Sequence, residues 1–188
     1  DKSRSRGLGD VYKRQGSPVS LPGGQIYENL VSGAIDATEW VGPWNDEAMK
    51  FQEAAKYYYY PGMHEPGSML ACGCNKSWFM SLSKSDQLLI EACASTENDV
   101  MMSEYNAKNG AALERLINDH GVKLERFSDK VYDGFGKAAE EVFEETRASS
   151  GLAERIHSSF LKARKEIGAW TNLSDSPYIQ QRNRVLGM

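Results

Sequence analysis

Hydrophobic and polar positions follow two rhythms along this chain, one suited to short strands and the other to helices. Residues 18–21 read as a short strand closed by Pro22-Gly23-Gly24. Ile26, Tyr27 and Leu30 then recur at helical spacing until Gly33, a natural helix stop. Residues 34–41 read as a buried strand with Glu39 and Trp40 at its tip. Gly42-Pro43 breaks that strand. Pro43, preorganised for the first helical turn, opens a helix running through Trp44, Met49 and Phe51. Residues 56–60 are aromatic and strand-forming, and Pro61-Gly62 turns them. A second turn, His64-Glu65-Pro66-Gly67, leads into a strand expected over 68–74.

The second half changes rhythm. Ser83 stands three residues before Asp86, ahead of Leu88, Leu89 and Ile90, as a capping box would. One long helix is expected from there to about His120, with Gly121 as its stop, His120 capping its end and Gly110 marking a bend. Residues 122–127 alternate as a short strand. Ser128 caps a helix with Val131, Phe135, Ala138 and Val142 on one face. After Ser149-Ser150-Gly151, another carries Leu152, Ile156, Phe160, Ala163, Ile167 and Trp170. Both stripes are expected to be core contacts. Strands alternating with helices place the chain in the α/β class, as one half of such a fold.

Composition narrows the function. With 188 residues, 40% of them hydrophobic and 26% charged, the chain suits a globular domain or parts of two. A net charge of −4 gives no reason to expect nucleic acid or an anionic membrane surface as partner. No apolar run approaches the roughly 18–20 residues that cross a bilayer, so the chain is expected not to span one. The N-terminus lacks the apolar segment of a signal peptide. Its first fifteen residues carry five basic side chains against Asp1 and Asp10, a charge of +3, which leaves −7 for the rest. DKSRSRGLGDVYKRQ resembles a translated cloning adaptor and is set aside from fold reasoning; a phosphate-binding basic arm is the alternative. Cys72, Cys74 and Cys93 cannot all pair within one molecule, and the first two are too strained for a disulfide within a strand. They are expected to be small apolar core residues, which leaves the compartment undecided.

Two segments put polar groups where a fold seldom spends them. In the first, from Asp36 to Asp46, Glu39, Trp40 and Trp44 cluster where a strand ends at Gly42-Pro43, a place that suits a ligand crevice. Asn45 and Asp46 also read as first-turn residues that favour the helix dipole. The second is Tyr57-Tyr58-Tyr59-Tyr60 with the His64-Glu65 turn; a strand sends alternate tyrosines to opposite faces, one towards a pocket and one inward. Glu39 and Glu65 together would supply oxygen ligands for a hard cation, Na⁺ or Ca²⁺ rather than Zn²⁺. Nucleophile-elbow, zinc-protease, phosphate-loop and dinucleotide motifs are missing from the sequence. His120 and His157 have no evident nucleophile beside them.

The run PGGQIYENLVSGAIDATEWVGPWNDEAMKFQEAAKYYYYPGMHEPG resembles the solute-binding proteins of TRAP transporters, in the branch that takes 2-oxo and 2-hydroxy monocarboxylic acids. The similarity covers residues 18 to about 170. It implies a periplasmic-binding-protein-like, two-lobed fold that closes on its ligand by hinge motion. This chain would be the C-terminal half: 16–75 lobe and hinge strands with site residues, 84–121 a lobe-spanning helix, and 122–170 the final strand and helices. By the same resemblance Glu39 coordinates a metal ion bridging to the ligand carboxylate, and Trp40 lends its backbone carbonyl. Glu65 is a further metal or pocket ligand, and Asn45 and Tyr59 border the pocket. The implied partners are a small organic-acid anion such as pyruvate or lactate and the TRAP membrane subunits, with a homodimer as a further expectation and the periplasm as the compartment. The family's carboxylate-binding arginine would precede Gly16, and none of Arg115, Arg126 and Arg147 takes its place. A metal-assisted enzyme using Glu39 and Glu65 is the alternative, and a helical interaction module built on the last helices is a third reading.

Overall fold

The computed structural model describes residues 16–64, 67 and 70–188. They divide into two compact units, Ser17–Tyr132 and Asp133–Met188, with the boundary in the first turn of a helix.

The first unit opens with an irregular stretch over 17–22 and a single 3-10 turn, Gly23–Gln25, leading into α1, Ile26–Ser32. Gly33 ends α1 in the left-handed conformation at φ 72°, as its position predicts. The expected strands over 18–21 and 34–41 are not formed. Both segments run without ladder partners among the described residues, because a strand is a pairing and not a propensity. Pro43 does start a helix, α2, Pro43–Ala48, but the helix stops at Met49. Lys50 turns left-handed at φ 61°, and the buried Phe51 begins a separate turn, α3, Phe51–Ala54. Tyr27 Oη donates to Glu53 Oε2 at 2.8 Å and so ties α1 to α3.

Strand β1, Tyr57–Tyr60, forms as expected; after 61–75, α4, Lys76–Ser81, is an element the sequence reading did not include. The strand expected over 68–74 is absent from 70–74, and residues 68 and 69 lie outside the described set. Asn75 caps α4 by accepting the Trp78 N–H at 3.0 Å. The long helix α5, Lys84–Asn118, begins with the predicted capping pair. The Asp86 N–H donates to Ser83 Oγ, whose hydroxyl donates to Asp86 Oδ2. It runs unbroken through Gly110. Left-handed Gly121 then reverses the chain, so that the Val122 N–H returns to the Leu116 carbonyl and Val122 is buried. Strand β2, Lys123–Arg126, follows and pairs in parallel with β1, Tyr57 opposite Lys123 and Tyr60 opposite Arg126. A parallel pair needs a long crossover, which α4 and α5 provide. The core of this unit is small: Ile26, Phe51, Ala112, Leu116 and Val122.

The second unit holds most of α6, Asp129–Ala148, with α7, Gly151–Thr171, and α8, Asp175–Leu186. The Ser128 and Ser150 hydroxyls cap α6 and α7. Contacts between Glu140 and Arg164, Phe143 and Phe160, and Arg147 and Glu154 run in opposite senses along the two helices, an antiparallel hairpin. The third helix, α8, was not anticipated; its Pro177 sits in the first turn, where a missing N–H costs nothing.

Two burial expectations fail. On the α7 stripe Leu152 and Ile167 are each 63% exposed and Trp170 67%, while α6 buries only Gly134 and Ala138. A two-helix hairpin covers one flank of each stripe and leaves the rest without a facing layer. Cys72, Cys74 and Cys93 are exposed, since no described element covers the irregular segment around the first two or that part of α5.

Candidate functional site

The residues singled out for chemistry lie mostly in the first unit, on the path from Gly33 to β1. Gly42 precedes α2 without a side chain to cap the helix. The cap comes instead from α5: Asn109 Oδ1 accepts the Trp44 N–H at 3.0 Å, across 65 residues of sequence. A Cβ on Gly42 would come within 3.3 Å of that same Asn109 oxygen, so glycine permits the approach. The Trp44 ring meets Tyr105 edge-on at 5.2 Å, and Lys108 Nζ stands 4.2 Å from its centroid. Lys108 also pairs with Glu104 one turn earlier. Arg115 closes the row with a bidentate hold on Glu47, at 2.8 and 2.6 Å, which keeps that carboxyl below its usual range. One face of α5 thus fixes α2 and, with it, the loop that carries Glu39 and Trp40.

Within the loop, the Thr38 hydroxyl donates to the Glu39 carbonyl at 3.1 Å, and the Glu39 side chain is exposed. Trp40 is half-buried. Its ring lies so close to Gly23 that a Cβ there would sit 2.7 Å from it, so the Pro-Gly-Gly turn is shaped to the tryptophan. Asn45 is half-buried as well, and its Oδ1 is fully enclosed without a hydrogen-bond partner. An enclosed acceptor of this kind is costly unless a ligand or water satisfies it.

Asp46, at 8% exposure, is not a solvated first-turn residue. Its carboxylate accepts the Tyr58 hydroxyl at 2.5 Å, which joins α2 to β1. Burial pushes the Asp46 carboxyl up, while the Tyr58 hydrogen bond and the Val41 and Gly42 amides pull it back. Oδ1 itself has no well-aligned hydrogen bond. Burial first, and the neighbouring carboxylate second, hold the Tyr58 hydroxyl far above the ordinary phenol range, so it stays the donor. Tyr59 points the other way from Tyr58, 53% exposed and stacked on Phe127 with centroids 5.1 Å apart. The parallel register also sets Arg126 beside Tyr60, although 66 positions separate them in the sequence.

The other expected metal ligand, Glu65, lies outside the described residues. Among the described residues no group of three or more His, Cys, Asp or Glu side chains could hold a metal ion. Glu39, Trp40, Asn45 and Tyr59 thus fall in one unit, on one loop, the helix that follows it and the next strand. Sequence reasoning missed Asp46, Tyr58 and Asn109 as positioning groups. Asp46 carried a competing helix-dipole explanation, and nothing local marks Asn109.

Residues 4–149 match the family described as bacterial extracellular solute-binding protein, family 7; the match begins inside the segment read as an adaptor. A monocarboxylate 2-oxoacid-binding periplasmic protein of Nostoc is 37% identical over 179 residues, which are 94% of this chain and 49% of that protein. A TRAP transporter solute-binding protein of Bordetella bronchiseptica, solved with copurified calcium and picolinate, superposes with a TM-score of 0.88 at 28% identity. That match covers 96% of this chain and 54% of the other. A protein of the same class from Colwellia psychrerythraea, with bound calcium and pyruvate, gives a TM-score of 0.83 at 33% identity over 93% and 53% of the two chains. Another, from Pseudoalteromonas atlantica with sodium and pyruvate, gives 0.82 at 30% over 92% and 53%. The chain spans about half the length of the relatives it matches. The expected architecture, part of a two-lobed binding protein, is the one these structures share. On the family match and this shared fold, the chain belongs to the family 7 bacterial extracellular solute-binding proteins, the solute-binding proteins of TRAP transporters.

Proposed function

We propose that this chain is the C-terminal half of a periplasmic solute-binding protein that captures a 2-oxo or 2-hydroxy monocarboxylate and hands it to TRAP membrane subunits. The reading rests on likeness to relatives described with pyruvate and with calcium or sodium. The structural observation that carries it is the loop of Glu39 and Trp40, held to α5 ahead of an enclosed, unpartnered Asn45 oxygen.

The donors fit a hard cation. Glu39 offers a carboxylate and Trp40 a backbone carbonyl, all-oxygen chemistry that suits Ca²⁺ or Na⁺ rather than zinc. Two donors fall short of the roughly six to eight oxygens calcium takes, so Glu65, the ligand, water and the remainder of the full-length protein complete the set. A cation here turns repulsion between Glu39 and an anionic ligand into attraction. Asn45 and Tyr59 border the ligand, and Asp46 with Tyr58 holds the α2–β1 junction in place. Members of this family are solute-binding proteins.

The test is a thermal-shift screen of the chain extended to the length of its relatives, against pyruvate and lactate with Ca²⁺, Na⁺ or chelator. Because a ligand of the native state raises the melting temperature, a shift that needs both acid and cation is expected. Glu39→Ala should weaken cation-dependent pyruvate binding by more than about tenfold, a difference of about 1.4 kcal/mol. Unchanged pyruvate affinity in that variant, with and without chelator, would sink the metal assignment.

A further inference from the structure

We infer, on the reading of Glu39 and Trp40 as cation ligands, that Gly23 is a positioning residue for that site. The Cβ it lacks is the slot that seats the Trp40 indole, and the seated ring sets where the Trp40 carbonyl points. Gly23 is not glycine for the sake of its backbone. It opens a 3-10 turn, where φ is negative and any residue fits, whereas Gly33 at φ 72° holds the left-handed conformation that favours glycine.

The reason for glycine at 23 is steric. A Cβ there would meet three outer atoms of the Trp40 ring, Cη2 at 2.7 Å, Cζ3 at 3.3 Å and Cζ2 at 3.4 Å. Carbon atoms pack best about 3.5–4.0 Å apart, so the ring would have to retreat by roughly 1 Å. A Cβ on the neighbouring Gly24 would meet nothing within 4 Å. Of the two glycines in one turn, only the first is fitted to the tryptophan.

The turn cannot easily give way in place of the ring. The Gln25 N–H donates to the Pro22 carbonyl at 2.9 Å, and Ile26, whose N–H returns to the Gly23 carbonyl, is buried. The loop is held at both ends as well. The Ala34 and Ile35 N–H groups share the Asn29 carbonyl at 2.9 and 3.2 Å, and Asn109 takes the Trp44 N–H. An indole is a rigid plate on two torsions. Moving its far edge either forces those torsions off a staggered well or shifts the backbone at residue 40, and with it the carbonyl and Glu39. Groups that orient a metal's ligands without touching the metal are worth about tenfold to a hundredfold in its affinity. A contact made through packing alone belongs at the lower end.

The experiment uses the chain extended to the length of its relatives. It measures calcium affinity at saturating pyruvate, the melting temperature, and the Trp40 indole N–H resonance of the ligand-free protein, identified by its loss in Trp40→Phe. Gly23→Ala should move that resonance, lower the melting temperature and weaken calcium binding about tenfold, whereas Gly24→Ala should do none of these. A phenyl ring lacks the outer edge of the indole. In a Trp40→Phe background, adding Gly23→Ala should therefore leave the melting temperature where it was and change calcium affinity less than about twofold. That rescue distinguishes a slot from a damaged turn, which would stay damaged beside the smaller ring. An unmoved resonance, calcium affinity equal to the parent's, or undiminished losses in the Trp40→Phe background would each overturn the inference. Failure of the transport reading looks different: the parent protein itself would bind no calcium with pyruvate, and the resonance and melting temperatures would still uphold or overturn the slot.

Discussion

The two units differ in what holds them. In Ser17–Tyr132 a run of unlike interactions converges on one helix: Asn109 caps α2, Tyr105 and Lys108 both contact the Trp44 ring, Arg115 grips Glu47, and Ala112 and Leu116 are buried. In Asp133–Met188 the amphipathic periodicity is cleaner, yet the hairpin rests on ring contacts around Phe143 and on surface ion pairs such as Arg164–Glu140. Periodicity and burial are therefore separate matters. A stripe says which face would be buried; whether it is depends on a second layer. Exposed ion pairs add little, typically below about 1 kcal/mol.

The sharpest way to break this contrast is to truncate one large ring in each unit. Phe51→Ala, at a buried position, should cost about 3 kcal/mol of stability by denaturant unfolding. Phe160→Ala, at 40% exposure, should cost about 1 kcal/mol or less. Equal losses would mean that the second unit is as well packed as the first.

Tyr58→Phe comes next. Without its donor, Asp46 is left buried, and the cost should be about 2 kcal/mol near neutral pH. Its direction with pH follows from the raised Asp46 carboxyl. A folded-state pKa above the unfolded one gives stability that is complete below the unfolded value, about 3.9, and is lost as pH rises through the folded value. Removing Tyr58 takes away an interaction that lowers that pKa, so the variant's deficit should widen from pH 4 towards 7 and shrink in acid. A deficit flat across that range would show that the hydroxyl acts through packing alone.

Asn109→Ala removes a cap supplied from another element and should cost about 1 kcal/mol, the usual worth of an N-cap. Its cation-dependent ligand affinity should fall too, because the Glu39–Trp40 loop loses an anchor. Intact affinity would confine Asn109 to stability. Smallest of all, deleting residues 1–15 should leave the melting temperature unchanged. A clear drop would make that segment part of the fold, as a family match reaching back to residue 4 would then suggest.

Helix limits were legible because their signals are local. Ser83 with Asp86, Ser128, Ser150, Gly33 and Gly121 each act within a few residues of their own position. The likeness to solute-binding proteins was legible for a related reason, since it lies in continuous runs such as EWVGPWND and YYYYPGMHEPG. Strands were legible only where a partner exists. The 57–60 run pairs with 123–126, while the equally plausible 34–41 run pairs with nothing described.

Local sequence is enough for α1 with its stop at Gly33, for the starts of α5, α6 and α7 at Ser83, Ser128 and Ser150, and for the tyrosine strand. Tertiary structure alone decided that Asn109 would stand in for the cap Gly42 cannot give, that Tyr58 rather than solvent would meet Asp46, that Arg126 would lie beside Tyr60, and that the α7 stripe would stay bare. The physical reason is range. Backbone propensity and capping are settled among neighbours along the chain, whereas burial and buried polar pairing depend on which distant surface arrives and leave no mark on local sequence.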